Sequence, residues 1–514
     1  MDGEGILFAS ALAKSAGTSA KTVPRTGKVC TMPFFIAVDI GTTGCRSIVF
    51  NEALEPVSSS YREYGLITPR DKWVEQDAEL WWRLTQETVR EAVSGASAAP
   101  GEIRGISVSS QGITIIPVDE QNNPVRNAIN WLDVRAEEET ELLQKDFGDR
   151  GMFTLTGKRI NAAYSLPKIL WIKRHEPDVF RSARKFLMPL DFILAKMTGK
   201  CVTDHTMASG TLLYDIKAKT WSAPVLQKYG LSESMLPALK WSGEPAGTLS
   251  AEAAKALSLT EGCVVAVGAQ DQRCASLGAG LKDGVMTISL GTSCAVCKYW
   301  DEPRTQGDMR IGWSAYVDEN VWVTEGVINT AAASLRWLRD TMFAGESYET
   351  IDAEAEEALR RGSAMLFYPY LNGPSSPDNY PDSTGCFYGA NLSTRRGDFA
   401  LAVLEGVAFQ IRILLEAMEA YGNVHTLILF GGGAKSPLWA QIIADATGLQ
   451  IDVPEVFEAA GAGAAILAGI ASGVFSRGEA PALRRGRSYR PGERQAAYEH
   501  KYQAYRKLEQ KLWR

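Results

Sequence analysis

An aspartate and a turn rich in glycine and threonine stand together near the start of the chain, in FIAVDIGTTGCRSIVF, residues 35–50. The apolar run Phe34 to Val38 ends in Asp39. Gly41-Thr42-Thr43-Gly44 follows, and Cys45 to Phe50 reads as a second strand. Glycines let backbone amides converge on an anion, and threonine hydroxyls add donors. An aspartate in that place repels phosphate directly, but it can hold Mg²⁺, usually through water, and the ion then bridges phosphate oxygens. The chain has no G-x-x-x-x-G-K-[ST] and no G-x-G-x-x-G, and a strand rather than a helix follows the turn. A P-loop and a dinucleotide fingerprint are therefore both excluded.

The same layout returns in VMTISLGTSCAVCKY, residues 285–299: an apolar strand, Gly291-Thr292-Ser293, then another strand. Gly41 and Gly291 lie 250 residues apart (291 − 41), about half the chain. Two similar halves imply a duplicated α/β domain with a cleft between the copies, where facing turns would clamp a triphosphate. From His425, HTLILFGGGAKSPLWAQIIADATGLQIDV gives a strand, three glycines and a helix starting near Ser436 or Pro437. Leu438, Ile442, Ile443 and Ala446 line one face of that helix. Gly431 to Gly433 either admit a flat ligand such as adenine or simply form a tight turn. From Cys263, CVVAVGAQDQRCASLGAG runs a buried strand into Gly268-Ala269-Gln270-Asp271-Gln272. Asp271 then stands at a helix N-terminus, as a cap or, at the mouth of the inferred cleft, as a general base.

Composition narrows the partners. The chain has 514 residues, 45% hydrophobic and 22% charged, which suits a soluble enzyme of two or more domains. A net charge of −6 and no basic stripe argue against nucleic acid. Eight cysteines in so long a chain make no disulfide framework, so a reducing, cytoplasmic compartment is expected. Cys294 and Cys297 have the C-x-x-C spacing, but they sit in a β-branched strand without further ligands nearby, which disfavours zinc or redox use. Residues 1–31 read as a flexible extension. Val456 to Phe475 is mostly Ala and Gly and contains Glu458, so it reads as a helix packed on a sheet, not a membrane span.

Taken together, the motifs resemble the FGGY family of carbohydrate kinases, which shares its fold with actin, Hsp70 and hexokinase. The likeness runs from about Phe34 to Trp513. It is carried by DIGTTGCRSIVF, WVEQDAELWW, NAINWLDVRA, LPKILWIKRH, GAQDQRCASLGAG, SLGTS, STGCFYGANL, LEGVAFQIR and FGGGAKSPLW in that order. The resemblance implies an α/β fold of two ribonuclease-H-like domains, residues 32–280 and 281–487, around a central cleft, with a C-terminal helix over 488–514. It implies phosphoryl transfer from Mg·ATP to a hydroxyl of a small sugar.

By the same resemblance Asp39 positions Mg²⁺, and Thr42, Thr43, Gly291 and Thr292 contact phosphates. Gly432, Gly433 and Ser436 lie on the adenine side. Asp271 matches the catalytic base, and Gln272 reaches the substrate. Gln111, Gly112, Trp131 and Tyr164 line the sugar site. Arg46 either reaches the phosphates or projects outward from its strand. Where glycerol kinases carry Arg-Glu after the turn glutamine and xylulokinases Met-His, this chain has Gln111-Gly112-Ile113. That leaves open space over Gly112 and favours a ketopentose such as xylulose, or a longer polyol, over glycerol. A glycerol or polyol kinase is the near alternative. An actin-like ATPase or nucleotide-gated binding module is the alternative of another class. A homodimer is one assembly open to it, and no membrane partner is expected.

Other features read as structure. Asp77 caps a helix whose Trp81 packs inward beside Trp73 and Trp82. Glu137, Glu138, Glu139 and Glu141 form a solvated helix face. Tyr498, Tyr502, Tyr505, Leu508 and Leu512 recur at helical spacing and should dock a final helix onto a domain, with the first domain as one option.

Overall fold

Phe34–Ile40 (β1) is apolar at nearly every position because both faces of its sheet are covered, so no in–out alternation shows in its sequence. In the computed structural model, which describes residues 33–513 except 374 and 379, β1 pairs antiparallel with Gly44–Phe50 (β2). Pro56–Glu63 (β3) pairs antiparallel with β2. The expected extension, residues 1–31, lies outside the described residues. After helix Ala78–Ala96 (α1), Ile103–Ser110 (β4) returns parallel to β1. Pro245–Thr248 (β5) is the far edge, antiparallel to Val264–Gln270 (β6), which is parallel to β4. Helix Asp271–Ala279 (α2) leaves directly from β6. The six strands are ordered β5-β6-β4-β1-β2-β3.

The second lobe repeats this plan. Val285–Leu290 (β7), Cys294–Trp300 (β8), Gly312–Ala315 (β9) and Trp322–Ile328 (β10) precede helix Arg396–Ala417 (α3). Thr426–Phe430 (β11), Pro437–Thr447 (α4), Gln450–Pro454 (β12), Ala459–Ala471 (α5), Arg485–Tyr489 (β13) and Gln495–Trp513 (α6) follow. The sheet order is β9-β10-β8-β7-β11-β12-β13. The run β3-β2-β1-β4-β6 and the run β10-β8-β7-β11-β12 share their order and their antiparallel and parallel pairings. The duplication seen in two turns is thus a duplication of whole sheets.

The lobes join through packing. Phe35, Ile48 and Phe50 of the first sheet form one apolar cluster with Val285, Ile428 and Phe430 of the second, around α5. The Ala/Gly composition of α5 lets it lie close against β1, β4 and β6 and cross α2, as its small residues foretold. Among the described residues no helix is long and apolar enough to cross a membrane.

Several structural readings hold and others change. Asp77 caps α1 by accepting from the Glu79 amide at 2.9 Å, and Trp81 is fully buried. The acidic run is not uniformly solvated: Glu139 is buried beneath Arg174 and His175, because one residue of each turn must face the core. The final helix α6 docks on the second lobe, not the first. Tyr498, Tyr502 and Tyr505 pack against Phe409 of α3. Leu508 is partly buried there, but Leu512 is exposed, because at the end of the helix it is Trp513 that faces the lobe, packing edge-on against Tyr368 and Tyr370. Cys294 and Cys297 are free and buried within β8.

Candidate functional site

The two turns cap neighbouring sheets in the same way. The Gly41 amide donates to the Gly44 carbonyl at 2.9 Å, and the Gly291 amide to the Ser293 carbonyl at 2.9 Å. Asp39 is the penultimate residue of β1, and its counterpart in the second turn is Ser289, so only one copy carries a carboxylate here. Thr42 Oγ1 accepts from Trp131 Nε1 at 2.9 Å, whereas Thr43 and Thr292 are exposed. The second turn is braced from behind, its Gly291 and Thr292 carbonyls each accepting at 3.0 Å from the amides of Ala332 and Ala331.

Between the turns, Asp39, Arg46, Asp271, Gln272, Ser289 and Glu458 share a cavity of about 230 Å³. Asp39 accepts from Ser109 Oγ at 2.9 Å, and its carboxyl is held above the usual range by burial. Arg46 does not pair with it; the guanidinium holds Glu458 at 2.8 Å and lies over the Tyr61 ring. Two neighbouring carboxyls without a cation of their own suit Mg²⁺ carried in with its phosphates and waters, so the residues fit that ion. Among the described residues no cluster of three or more His, Cys, Asp or Glu forms a closed metal cage.

Asp271 belongs to this cavity and to a second one of about 400 Å³, which Gln111, Gly112, Trp131, Tyr164 and Gln272 also line. Gln270 is the N-cap of α2, and its side chain accepts from the Gln272 amide at 3.1 Å. Asp271 is the first helical residue and shares that duty, its carboxylate accepting from the same amide at 2.7 Å and from Gln270 Nε2. Burial, then the nearby Asp39 charge, push its carboxyl up to about 7. That value suits a proton acceptor working near neutrality.

The wall of the larger cavity differs in detail from the expectation. Gln111 is almost fully buried, donates to Gln76 at 2.9 Å and accepts from Asn130 at 3.1 Å, so much of its amide is already used. Gln76 in turn donates to the Thr42 carbonyl at 2.8 Å, which ties the sugar-side turn to the phosphate turn. The space over Gly112 is not open, because a Cβ there would come within 3.2 Å of Gln270 Cγ. Ile113 adopts φ 55°, a left-handed conformation costly for a β-branched residue and held by its surroundings. Lys168 is wholly buried and donates to the carbonyls of Asn130 and Ala163, the residues before Trp131 and Tyr164.

Lys158, Arg273, Ser314 and Glu325 also line this cavity, and the motifs gave no notice of them. Arg273 could have been suspected, since it follows Asp271-Gln272. Ser314 and Glu325 come from the second sheet and carry no local signal.

On the other side of the second turn, Gly432, Gly433, Lys435, Ser436 and Trp439 border a cavity of about 380 Å³. The glycines have separate reasons. A Cβ at Gly432 would meet nothing within 4 Å, so its face is open to a flat ligand. One at Gly433 would lie 2.5 Å from Leu290 Cγ, so this glycine serves packing. Ser436 Oγ caps α4, accepting from the Trp439 amide at 3.0 Å.

Known proteins match this chain over both lobes. The pattern describing the FGGY family of carbohydrate kinases, N-terminal domain, matches residues 34–278, and that of the C-terminal domain matches residues 286–472. The chain is 31% identical to the xylulose kinase of Escherichia coli K12 over 93% of its own length and 99% of that protein. It is 31% identical to the xylulose kinase of Bacillus subtilis 168, over 86% and 89% respectively. A crystal structure titled as a xyloylose kinase from Brucella ovis superposes with TM-score 0.85 at 31% identity, covering 93% of this chain and 99% of that one.

Proposed function

The chain belongs to the FGGY family of carbohydrate kinases, and we propose that it phosphorylates a ketopentose such as xylulose at the expense of Mg·ATP. The observation that carries this reading is the position of Asp271, shared by the cavity between the phosphate turns and the cavity lined by Trp131 and Gln272. A base so placed reaches a substrate hydroxyl and the phosphate site at once. The similarity to xylulose kinases supports the choice of sugar.

In this reading residues 32–280 hold the sugar, the first phosphate turn and the base. Residues 281–487 hold the nucleotide, and the helix Gln495–Trp513, rather than all of 488–514, closes the second lobe, because Arg485–Tyr489 is still a strand of its sheet. Trp131 and Gln272 orient the sugar. Asp271 accepts the hydroxyl proton as the oxygen attacks the γ-phosphorus in line. The amides of the Gly41 and Gly291 turns receive the phosphate oxygens, and the open face of Gly432 receives adenine. Asp39 would hold Mg²⁺ through water, and that ion supplies charge neutralisation at the phosphates. Little covalent chemistry falls to the protein, so positioning dominates.

An ADP-release assay over a panel of ketoses, polyols and glycerol tests this. A ketopentose should give the highest kcat/KM. Glycerol above every ketose and longer polyol would overturn the choice of substrate.

A further inference from the structure

We infer that Glu325, held in place by Arg273, is a substrate-binding residue supplied by the second lobe, and that its free oxygen accepts a hydroxyl from the sugar's non-reacting part. This rests on the kinase reading above and deepens it to the recognition of a hydroxyl that takes no part in the transfer.

Trp322–Ile328 (β10) is paired on both sides, and its sequence WVTEGVI has one ionisable residue. Glu325 shares a face of the strand with Val327, two residues on, and both line the sugar cavity with Ala295 and Ser314 of the adjoining strands. A carboxylate in the middle of a sheet needs a partner. Among the described residues Arg273 is the one cation paired with it, donating to one carboxylate oxygen at 2.7 Å. Arg273 is 2% exposed and also donates to Cys297 Sγ at 3.3 Å and to Ser314 Oγ at 3.4 Å, on the two strands that flank β10. Contacts to three neighbouring strands fix the guanidinium, and the guanidinium orients the carboxylate. The nearby Lys158 is engaged with Ser314 Oγ, at 2.9 Å, and makes no hydrogen bond to Glu325.

A carboxylate has two accepting oxygens, and Arg273 occupies one. The other receives no hydrogen from the described residues and is not sealed into the interior. It belongs to the wall of the cavity that Trp131, Asp271 and Gln272 line from the first lobe. Asp271 is committed to the reacting hydroxyl, which leaves Glu325 as the carboxylate for another. A hydroxyl that donates to a charged acceptor gains more than one that meets a neutral group. Its deletion from the sugar should lower kcat/KM about tenfold to a hundredfold. The sugar is then held from both lobes.

The test measures kcat/KM by ADP release for a ketopentose and its monodeoxy analogues, each lacking one hydroxyl other than the one phosphorylated. In the wild-type enzyme at least one analogue should fall by that factor. Glu325→Gln keeps the shape and an oxygen for Arg273 but removes the charge, so the penalty at that position should shrink to about threefold. Glu325→Asp keeps the charge but draws the carboxylate back by one methylene, and should shrink the same penalty. The Kd for ATP, measured by calorimetry, should stay unchanged in both. An ion pair that served the fold alone would leave the ratio of parent sugar to each analogue as it is in the wild type. Unchanged ratios at every position, in whichever variant retains ATP binding, overturn the inference and leave the kinase reading intact. A wild-type enzyme indifferent to every deletion does the same, as does loss of ATP binding in both variants, which would make the pair structural. Phosphorylation of no sugar in the wider panel overturns the kinase reading and this inference with it.

Discussion

Gly278 and Gly463 cross as a reciprocal pair. A Cβ at Gly278 would lie 2.1 Å from the Ala459 carbonyl oxygen, and one at Gly463 would lie 1.9 Å from that of Cys274. Each glycine stands four residues after the residue that its partner touches, and α2 and α5 follow equivalent strands of the two sheets. The crossing therefore repeats the duplication at the level of single atoms. It also holds Asp271, at the start of α2, in fixed relation to the second lobe.

Gly463→Ala must push backbone from backbone, which no rotamer change relieves. It should cost roughly 1–3 kcal/mol or more and lower the urea midpoint of the free protein. Gly432→Ala, with nothing within 4 Å, should stay within about 0.5 kcal/mol and serves as the control. Equal midpoints for the two variants would mean that the helices separate without cost.

Asp271→Asn keeps the side chain's size but removes its capacity to accept a proton. Turnover should fall roughly 10²–10⁴-fold, while ATP affinity measured by calorimetry barely moves. Near-normal turnover would remove this residue from the role of base.

The pH dependence follows from the same carboxyl. With a folded value of about 7, Asp271 is protonated at acid pH, so kcat/KM for the sugar should rise with pH and level off above about 7. The stability term has the opposite sign. The ordinary value is 3.8, so between about pH 4 and 7 the folded state binds more protons than the unfolded one. Stability from this group then falls as pH rises through that window. Asp271→Asn should be the more stable protein above pH 7, by up to a few kcal/mol, with the difference vanishing near pH 4. Parallel melting curves at every pH would contradict this.

Gly291→Val tests the phosphate turn cleanly. A Cβ at Gly291 would make only an ordinary 3.6 Å contact with the Ser293 carbonyl oxygen, so the protein itself has room for that atom. A clash of the Cβ is with the ligand. ATP affinity should drop about tenfold or more while sugar binding and the thermal midpoint change little. Unchanged ATP binding would reduce the second turn to a hairpin.

What the sequence determined by itself was local or periodic. Two strand–turn–strand copies showed the duplication, because a turn's glycines and threonines answer to backbone geometry that neighbours in sequence dictate. Asp39, Asp271 and the triple glycine were legible for the same reason, each lying at the end of an apolar strand run. The small residues of α5 announced close packing, though not that α2 was the partner. Tertiary structure alone decided the rest. Glu139 was indistinguishable from its neighbours until the core claimed one of them. Gln111, quoted as a substrate contact, proved to spend much of its amide on Gln76 and Asn130, which arrive from separate segments. Lys158, Arg273, Ser314 and Glu325 are scattered through 167 residues (325 − 158) and meet only because the second sheet's edge folds against the first lobe. Hydrogen bonds and burial act over a few ångströms in space, and no spacing along the chain encodes which distant side chains will share them.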